Sequence, residues 1–148
     1  MELGIFQETK VTDGIYTCRL SGYSVNATDA LRRHCSGVAL FHHPALHFVV
    51  EAVHKFGTDV VGFQLATGER RWYIVGCYLS PYDTLTINSA IAALKKYPRG
   101  AKPLVAGDFN VNLAEPEGDR RGEDIAAVME MEGLEDMLER FLPRRRSW

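Results

Sequence analysis

Cysteine is scarce in this sequence. Cys18, Cys35 and Cys77 are the three among 148 residues. An odd, widely spaced set is neither a disulfide framework nor a zinc signature, and a reducing, intracellular setting is the expectation from that usage. Long apolar runs are missing too. No segment reads as a membrane span, and no basic-then-apolar leader opens the chain. Nor does charge of one sign dominate: 17 Lys and Arg against 19 Asp and Glu leave a formal net charge of −2. Bulk charge therefore does not indicate a strongly basic nucleic-acid binder, although a local basic site is compatible with it. No repeat, low-complexity stretch or linker divides the chain, so residues 1–148 read as one domain. What is present is ordinary. Hydrophobic residues make up 46% and charged residues 24%, values of a soluble globular protein that exclude disorder as the main state. A chain of this size buries roughly two-thirds of the surface it exposes when unfolded.

The apolar pattern is strand-rich at first and mixed later. Met1 to Gln7, Ile15 to Leu20, Gly37 to Phe41 and Phe48 to Val53 read as strands. Val60 to Ala66 alternates, with Val61, Phe63 and Leu65 on one face. Thr67-Gly68-Glu69 predicts a hairpin into Arg71 to Leu79. That last strand is apolar on both faces, with Trp72, Ile74 and Tyr78 on one and Tyr73, Val75, Cys77 and Leu79 on the other. A strand of this kind lies inside a sheet with material on each side. Asp83 or Thr84 can cap a helix whose Ile87, Ala90, Ile91 and Leu94 share a face, and Pro98 and Gly100 end it. Pro103 to Ala106 is a short apolar run. Ile125, Val128 and Met129 predict a further helix stopped near Gly133, and Leu134, Met137, Leu138 and Phe141 a final one. The whole predicts sheets covered by helices, an α/β or α+β layered fold.

Two places can carry chemistry, each an acidic residue just past an apolar strand. One is Gln7-Glu8-Thr9-Lys10 and the other Gly107-Asp108-Phe109-Asn110. A carboxylate at a strand end sits at a sheet rim, where crevices form. A hard cation such as Mg²⁺ takes oxygen ligands, often one or two carboxylates plus water and substrate phosphate. Gly107 lets the backbone come close to a ligand. The amide of Asn110 can donate to a phosphate oxygen or hold a neighbouring carboxylate. Asp and Asn after a strand are also common turn formers, so neither site alone decides the matter.

Taken together, Gln7-Glu8-Thr9-Lys10, Arg33-His34-Cys35-Ser36-Gly37-Val38-Ala39, Gly76-Cys77-Tyr78-Leu79-Ser80-Pro81 and Gly107-Asp108-Phe109-Asn110 resemble the endonuclease/exonuclease/phosphatase superfamily in order and spacing. The likeness is strongest to the endonuclease domain of non-LTR retrotransposons, which accompanies a reverse transcriptase in the same polypeptide. The resemblance covers nearly the whole chain. It implies a four-layer α/β sandwich, two mainly antiparallel sheets flanked by helices, with the site at one rim. It implies Mg²⁺-dependent phosphodiester hydrolysis, with Mn²⁺ able to take the metal's place. By that likeness Glu8 matches the metal-binding glutamate and Tyr78 the tyrosine that contacts the scissile phosphate. Asp108 matches the aspartate that orients or deprotonates the attacking water, and Asn110 the asparagine that positions phosphate and metal. The implied substrate is DNA, with RNA or a phosphate monoester as alternatives, and the location would be nuclear for a working retroelement protein. A non-catalytic interaction module on the same sandwich is the reading from another class.

The sequence departs from the family's pattern at both ends. No strand ending in asparagine precedes Met1. All five histidines lie between His34 and His54, so nothing after Asn110 supplies the late Ser-Asp-His element. Pro81 is followed by Tyr82 and Asp83 rather than by asparagine. The resemblance thus implies a sandwich incomplete at both ends, with little or no activity in isolation, because catalytic groups act as a unit. Unpaired strand edges would also favour low solubility or self-association.

Other features have plainer readings. His42, His43, His47 and His54 with Cys35 match no compact zinc spacing, and Pro44 interrupts them, so strand and loop histidines are expected. Asn26-Ala27-Thr28 fits a glycosylation sequon but reads as an unused polar loop. Arg144-Arg145-Arg146 reads as a solvated tail, and Arg32-Arg33 and Arg70-Arg71 carry little weight as a phosphate track. Trp72 and Tyr73 read as core.

Overall fold

The Trp72-to-Leu79 segment, apolar on both faces, does lie inside a sheet, with a strand on either side of it. The computed structural model describes residues 3–7, 24–27, 37–80, 85–111 and 118–135. In chain order these form β1 (Leu3–Gln7), β2 (Ser24–Ala27), β3 (Val38–His42), β4 (Val49–Lys55), β5 (Val60–Thr67), β6 (Arg70–Tyr78), α1 (Leu85–Lys95), β7 (Lys102–Asp108) and α2 (Arg120–Glu132). The predicted strand at Ile15 to Leu20, the residues after Glu135 expected to continue a last helix, Cys18, Cys35 and the terminal arginines lie outside the described residues.

The chain divides into two compact units, Met1–Asn110 and Val111–Trp148. The first holds a three-stranded sheet in the order β1-β3-β2 and a four-stranded sheet in the order β4-β5-β6-β7. Antiparallel pairing joins all neighbours except β6 and β7, which run parallel. Parallel neighbours need a long crossover rather than a hairpin, and α1 supplies it. This is an α+β arrangement of two mainly antiparallel sheets with helices, as the sequence predicts.

The two sheets meet across one apolar core. Val38 and Leu40 of β3 pack with Val61, Phe63 and Leu65 of β5 and with Ile74 and Tyr78 of β6. These are the residues that the period-2 alternation assigns to one face. Gly76 sits where the sheets come closest. A Cβ there would lie 2.8 Å from Val38 Cγ1 and 3.3 Å from Ile5 Cγ2, so only a bare backbone fits between them. The other face of β6 (Tyr73, Val75 and Cys77) is fully buried. Against β5 and β6 packs α1, whose Ile87, Ala90, Ala93 and Leu94 are buried at helical spacing. A buried leucine or isoleucine on such a face stabilises by about 1.5–3 kcal/mol.

Local chemistry sets the turns. Thr67 pairs with Arg70 across a two-residue loop, and Gly68 takes φ +57° at its first position, the conformation that lets a short loop follow the twist of the flanking strands. On β4 the register slips between Val50 and Ala52, a bulge at Glu51. Asn26 and Ala27 correct the expectation of a polar loop, because both lie in β2, paired with Leu40 and Ala39 of β3. Four residues with one large apolar side chain cannot show an alternation; β2 exists because β3 offers it a ladder.

In the second unit α2 has both ends closed. Asp119 Oδ1 accepts from the Arg121 N–H at 3.0 Å, an N-cap. Gly133 takes φ +63°, its N–H donates to Glu130 O at 3.2 Å, and the Leu134 N–H donates to Met129 O at 2.8 Å. That pair of bonds is the Schellman closure. Among the described residues no helix is long and apolar enough to cross a membrane.

Tyr73 lies with its ring over Gly62, where an added Cβ would collide with the phenol. Its hydroxyl is buried and has no hydrogen-bond partner among the described residues, and burial pushes its pKa up. An unsatisfied buried polar atom costs about 1–3 kcal/mol. Tyr73→Phe is therefore expected to raise the unfolding free energy by about 1 kcal/mol in denaturant titration. A clear loss of stability would mean that the hydroxyl has a partner.

Candidate active site

Three of the four candidate residues stand at one rim of the larger sheet. Tyr78 ends β6 and Asp108 ends β7, and the parallel register sets them directly opposite each other. The Leu79 N–H donates to Asp108 O at 2.8 Å, which carries the pairing one residue further. Asn110 then folds back. It takes φ +48°, the left-handed region that asparagine tolerates better than most residues. Its N–H donates to Asp108 Oδ1 at 3.0 Å and its Nδ2 donates to Leu79 O at 3.1 Å. The Asn110 side chain thus bridges β6 and β7 while its backbone holds the Asp108 carboxylate. Tyr78 is nearly buried and belongs to the core between the sheets, whereas Asp108 is exposed.

Gly107 permits this. A Cβ at Gly107 would land on the backbone carbonyl of Cys77. No rotamer change relieves a clash with backbone, so the strands pair this closely only because residue 107 has no side chain.

The smaller sheet reaches the same rim. Gln7 at the end of β1 pairs with Val38 at the start of β3. Gly37, buried and at φ +92°, donates its N–H to Asp59 Oδ1 at 3.0 Å. Asp59 O accepts from the Tyr78 N–H at 2.8 Å. Glu8, the candidate metal ligand, follows Gln7 directly but lies outside the described residues. The sequence reading missed Asp59. Its local signal, Gly57-Thr58-Asp59 ahead of a strand, is that of any turn.

Among the described residues no group of three His, Cys, Asp or Glu side chains is set to hold a metal ion. His42 stacks near Phe48, with ring centroids 5.0 Å apart, and His54 lies 6.2 Å from the Tyr73 ring. The rim offers oxygen donors instead, the Asp108 carboxylate and the Asn110 amide oxygen. Such a set fits a hard cation that keeps several of its waters, as Mg²⁺ does, and does not fit a four-coordinate zinc cage.

Solved structures place the fold, while sequence comparison is silent. No protein-family model matches the sequence, and no curated protein matches it. The chain is similar in structure to the endonuclease domain of TRAS1, a telomere-specific non-LTR retrotransposon, with a TM-score of 0.65 at 18% identity. The match covers 89% of this chain and 60% of that one, so this chain spans about three-fifths of the length of the domain that it matches.

Two outcomes test the rim. Gly107→Ala should destabilise the protein by about 3 kcal/mol in thermal or denaturant unfolding, and a loss below 1 kcal/mol would show that β6 and β7 can separate without cost. Burial, and then the negative charge of Asp108, push the Cys77 thiol from its ordinary 9.0 up to about 12. Between those values the unfolded chain has released a proton that the native chain keeps, so stability falls as pH rises above 9. The slope from one such group is about 1.4 kcal/mol per pH unit. Cys77→Ala should flatten the decline between pH 9 and 10, and an unchanged slope would contradict the burial of the thiol.

The two sheets, their mainly antiparallel order and the crossover helix, together with that structural match, give this chain the fold of the matched endonuclease domain.

Proposed function

We propose that this chain is a metal-dependent phosphodiesterase of the DNA endonuclease type. The observation that carries the reading is the opposed pair Tyr78 and Asp108, with Asn110 tied to both strands at the rim where β1 also ends. The fold shared with a retrotransposon endonuclease domain supports it.

Each residue has work suited to its chemistry. Asp108 is exposed, and the Asn110 N–H occupies one of its oxygens. A carboxylate has several acceptor sites, so it can orient an attacking water and take its proton. General-base help of this kind contributes about 10²–10⁴-fold. The Tyr78 hydroxyl can donate to a phosphoryl oxygen as charge builds there, an interaction that gains strength where water is excluded. The Asn110 amide spends one N–H on Leu79 O and keeps its oxygen and second N–H for substrate or metal. Glu8, with Asn110, would hold Mg²⁺ or Mn²⁺. When bound, the ion supplies charge neutralisation at the phosphoryl oxygens.

A plasmid-nicking assay with the purified chain is the test. Whatever nicking the protein shows should require Mg²⁺ and fall by about 10²-fold or more in Asp108→Ala. Mg²⁺ should also raise the thermal midpoint, because an ion that binds only the folded state stabilises it. Nicking that survives both chelation and Asp108→Ala would overturn the reading. Equal melting with and without Mg²⁺ would favour a non-catalytic interaction module.

A further inference from the structure

Asp59 is the residue at the rim with no assigned role, and its bonds reach both sheets. Its Oδ1 accepts from the Gly37 N–H at 3.0 Å, where β3 opens the smaller sheet. Its Oδ2 accepts from the Thr58 hydroxyl at 3.3 Å. Its carbonyl accepts from the Tyr78 N–H at 2.8 Å, where β6 ends in the larger sheet. Gly37 precedes Val38, and Val38 pairs with Gln7, the residue before Glu8. One residue therefore sits between the strand end that leads to Glu8 and the strand end that bears Tyr78.

We propose that Asp59 is a positioning residue that fixes the spacing of the two sheets at the rim and so holds Tyr78 and Asp108 in register with the end of β1. The proposal rests on the phosphodiesterase reading for its catalytic consequence, and on the hydrogen bonds alone for its structural part. The packed apolar faces resist separation but are non-directional, so they leave the rim spacing weakly specified. A hydrogen bond, unlike packing, is directional. The Gly37–Asp59 bond joins the two sheets at the rim, and there it supplies the direction that packing lacks. Asp59 touches no substrate in this scheme. What it needs to offer Gly37 is an acceptor rather than a charge, and this separates it from Asp108.

The test compares Asp59→Asn with Asp59→Ala. Asparagine keeps an oxygen for the Gly37 N–H and can donate to the Thr58 hydroxyl, whereas alanine keeps only the backbone carbonyl. In ¹⁵N-labelled protein, Asp59→Ala should speed exchange of the Gly37 amide roughly tenfold or more and shift the Tyr78 and Asp108 amide resonances. It should also lower Mg²⁺-dependent nicking by roughly tenfold. Asp59→Asn should restore all three. If Asp59→Asn protects Gly37 yet nicks as poorly as Asp59→Ala, the carboxylate acts directly and the positioning role is wrong. If Asp59→Ala frees Gly37 while the Tyr78 and Asp108 resonances stay in place, the bond is local and the proposal is again wrong. Should Asp59→Ala fail to fold, Thr58→Val loosens the carboxylate more gently and should move the same resonances less far; unmoved resonances would count against the role. A wild-type chain that does not nick removes the activity readout alone, and the amide measurements then decide the positioning role by themselves.

Discussion

Everything in the first unit depends on β6 being covered on both faces. A strand in that position must be apolar throughout, must have neighbours on both edges and must have a layer above and below. The sequence from Trp72 to Leu79 meets the first demand, and β5, β7, the smaller sheet and α1 meet the others. Because β7 runs parallel to β6, the two strands end at the same rim, so their last residues are brought side by side. An antiparallel β7 would have sent Asp108 to the opposite end of the sheet from Tyr78. The crossover through α1 is thus the topological reason that the rim has a pair of polar groups to offer.

Close backbone approach is the second constraint, and glycine meets it twice. Gly76 lets the sheets touch beneath the rim, and Gly107 lets β7 lie against the Cys77 carbonyl at the rim itself. In both places the space is already filled by a neighbour. The residues that surround the candidate site are held by main-chain bonds and packing, and the side chains of Asp59, Asp108 and Asn110 add bonds to Gly37, to the Asn110 N–H and to Leu79.

Much of this was legible in the sequence, for a physical reason. Alternation at Val61, Phe63 and Leu65, two apolar faces on β6, a helical stripe at Ile87, Ala90 and Leu94, and a glycine stop at Gly133 are local patterns, and local patterns survive in a one-dimensional reading. Tyr78, Asp108 and Asn110 were grouped by the family resemblance rather than by any local pattern, and the parallel pairing that sets Tyr78 opposite Asp108 was not readable. What did not survive is closure over distance. The Gly37–Asp59 bond joins residues 22 apart and the Asn110–Leu79 bond residues 31 apart, and no propensity at either end points to the other. β2 was hidden for the same reason, since its four residues gain their structure from β3 and carry little signal of their own.

Among the described residues the larger sheet has two open edges, and each is spoiled as a template. On β4 the bulge at Glu51 throws the outward backbone groups out of step midway along the strand, and Lys55 puts a charge near its end. On β7, Pro103 deletes a donor one residue after the strand begins. A foreign strand laid along either edge would find its ladder interrupted within a few residues. The same bulge and proline that look like irregularities inside one molecule therefore act between molecules, as a barrier to the edge-to-edge stacking that would otherwise turn an exposed sheet into a seed for aggregation.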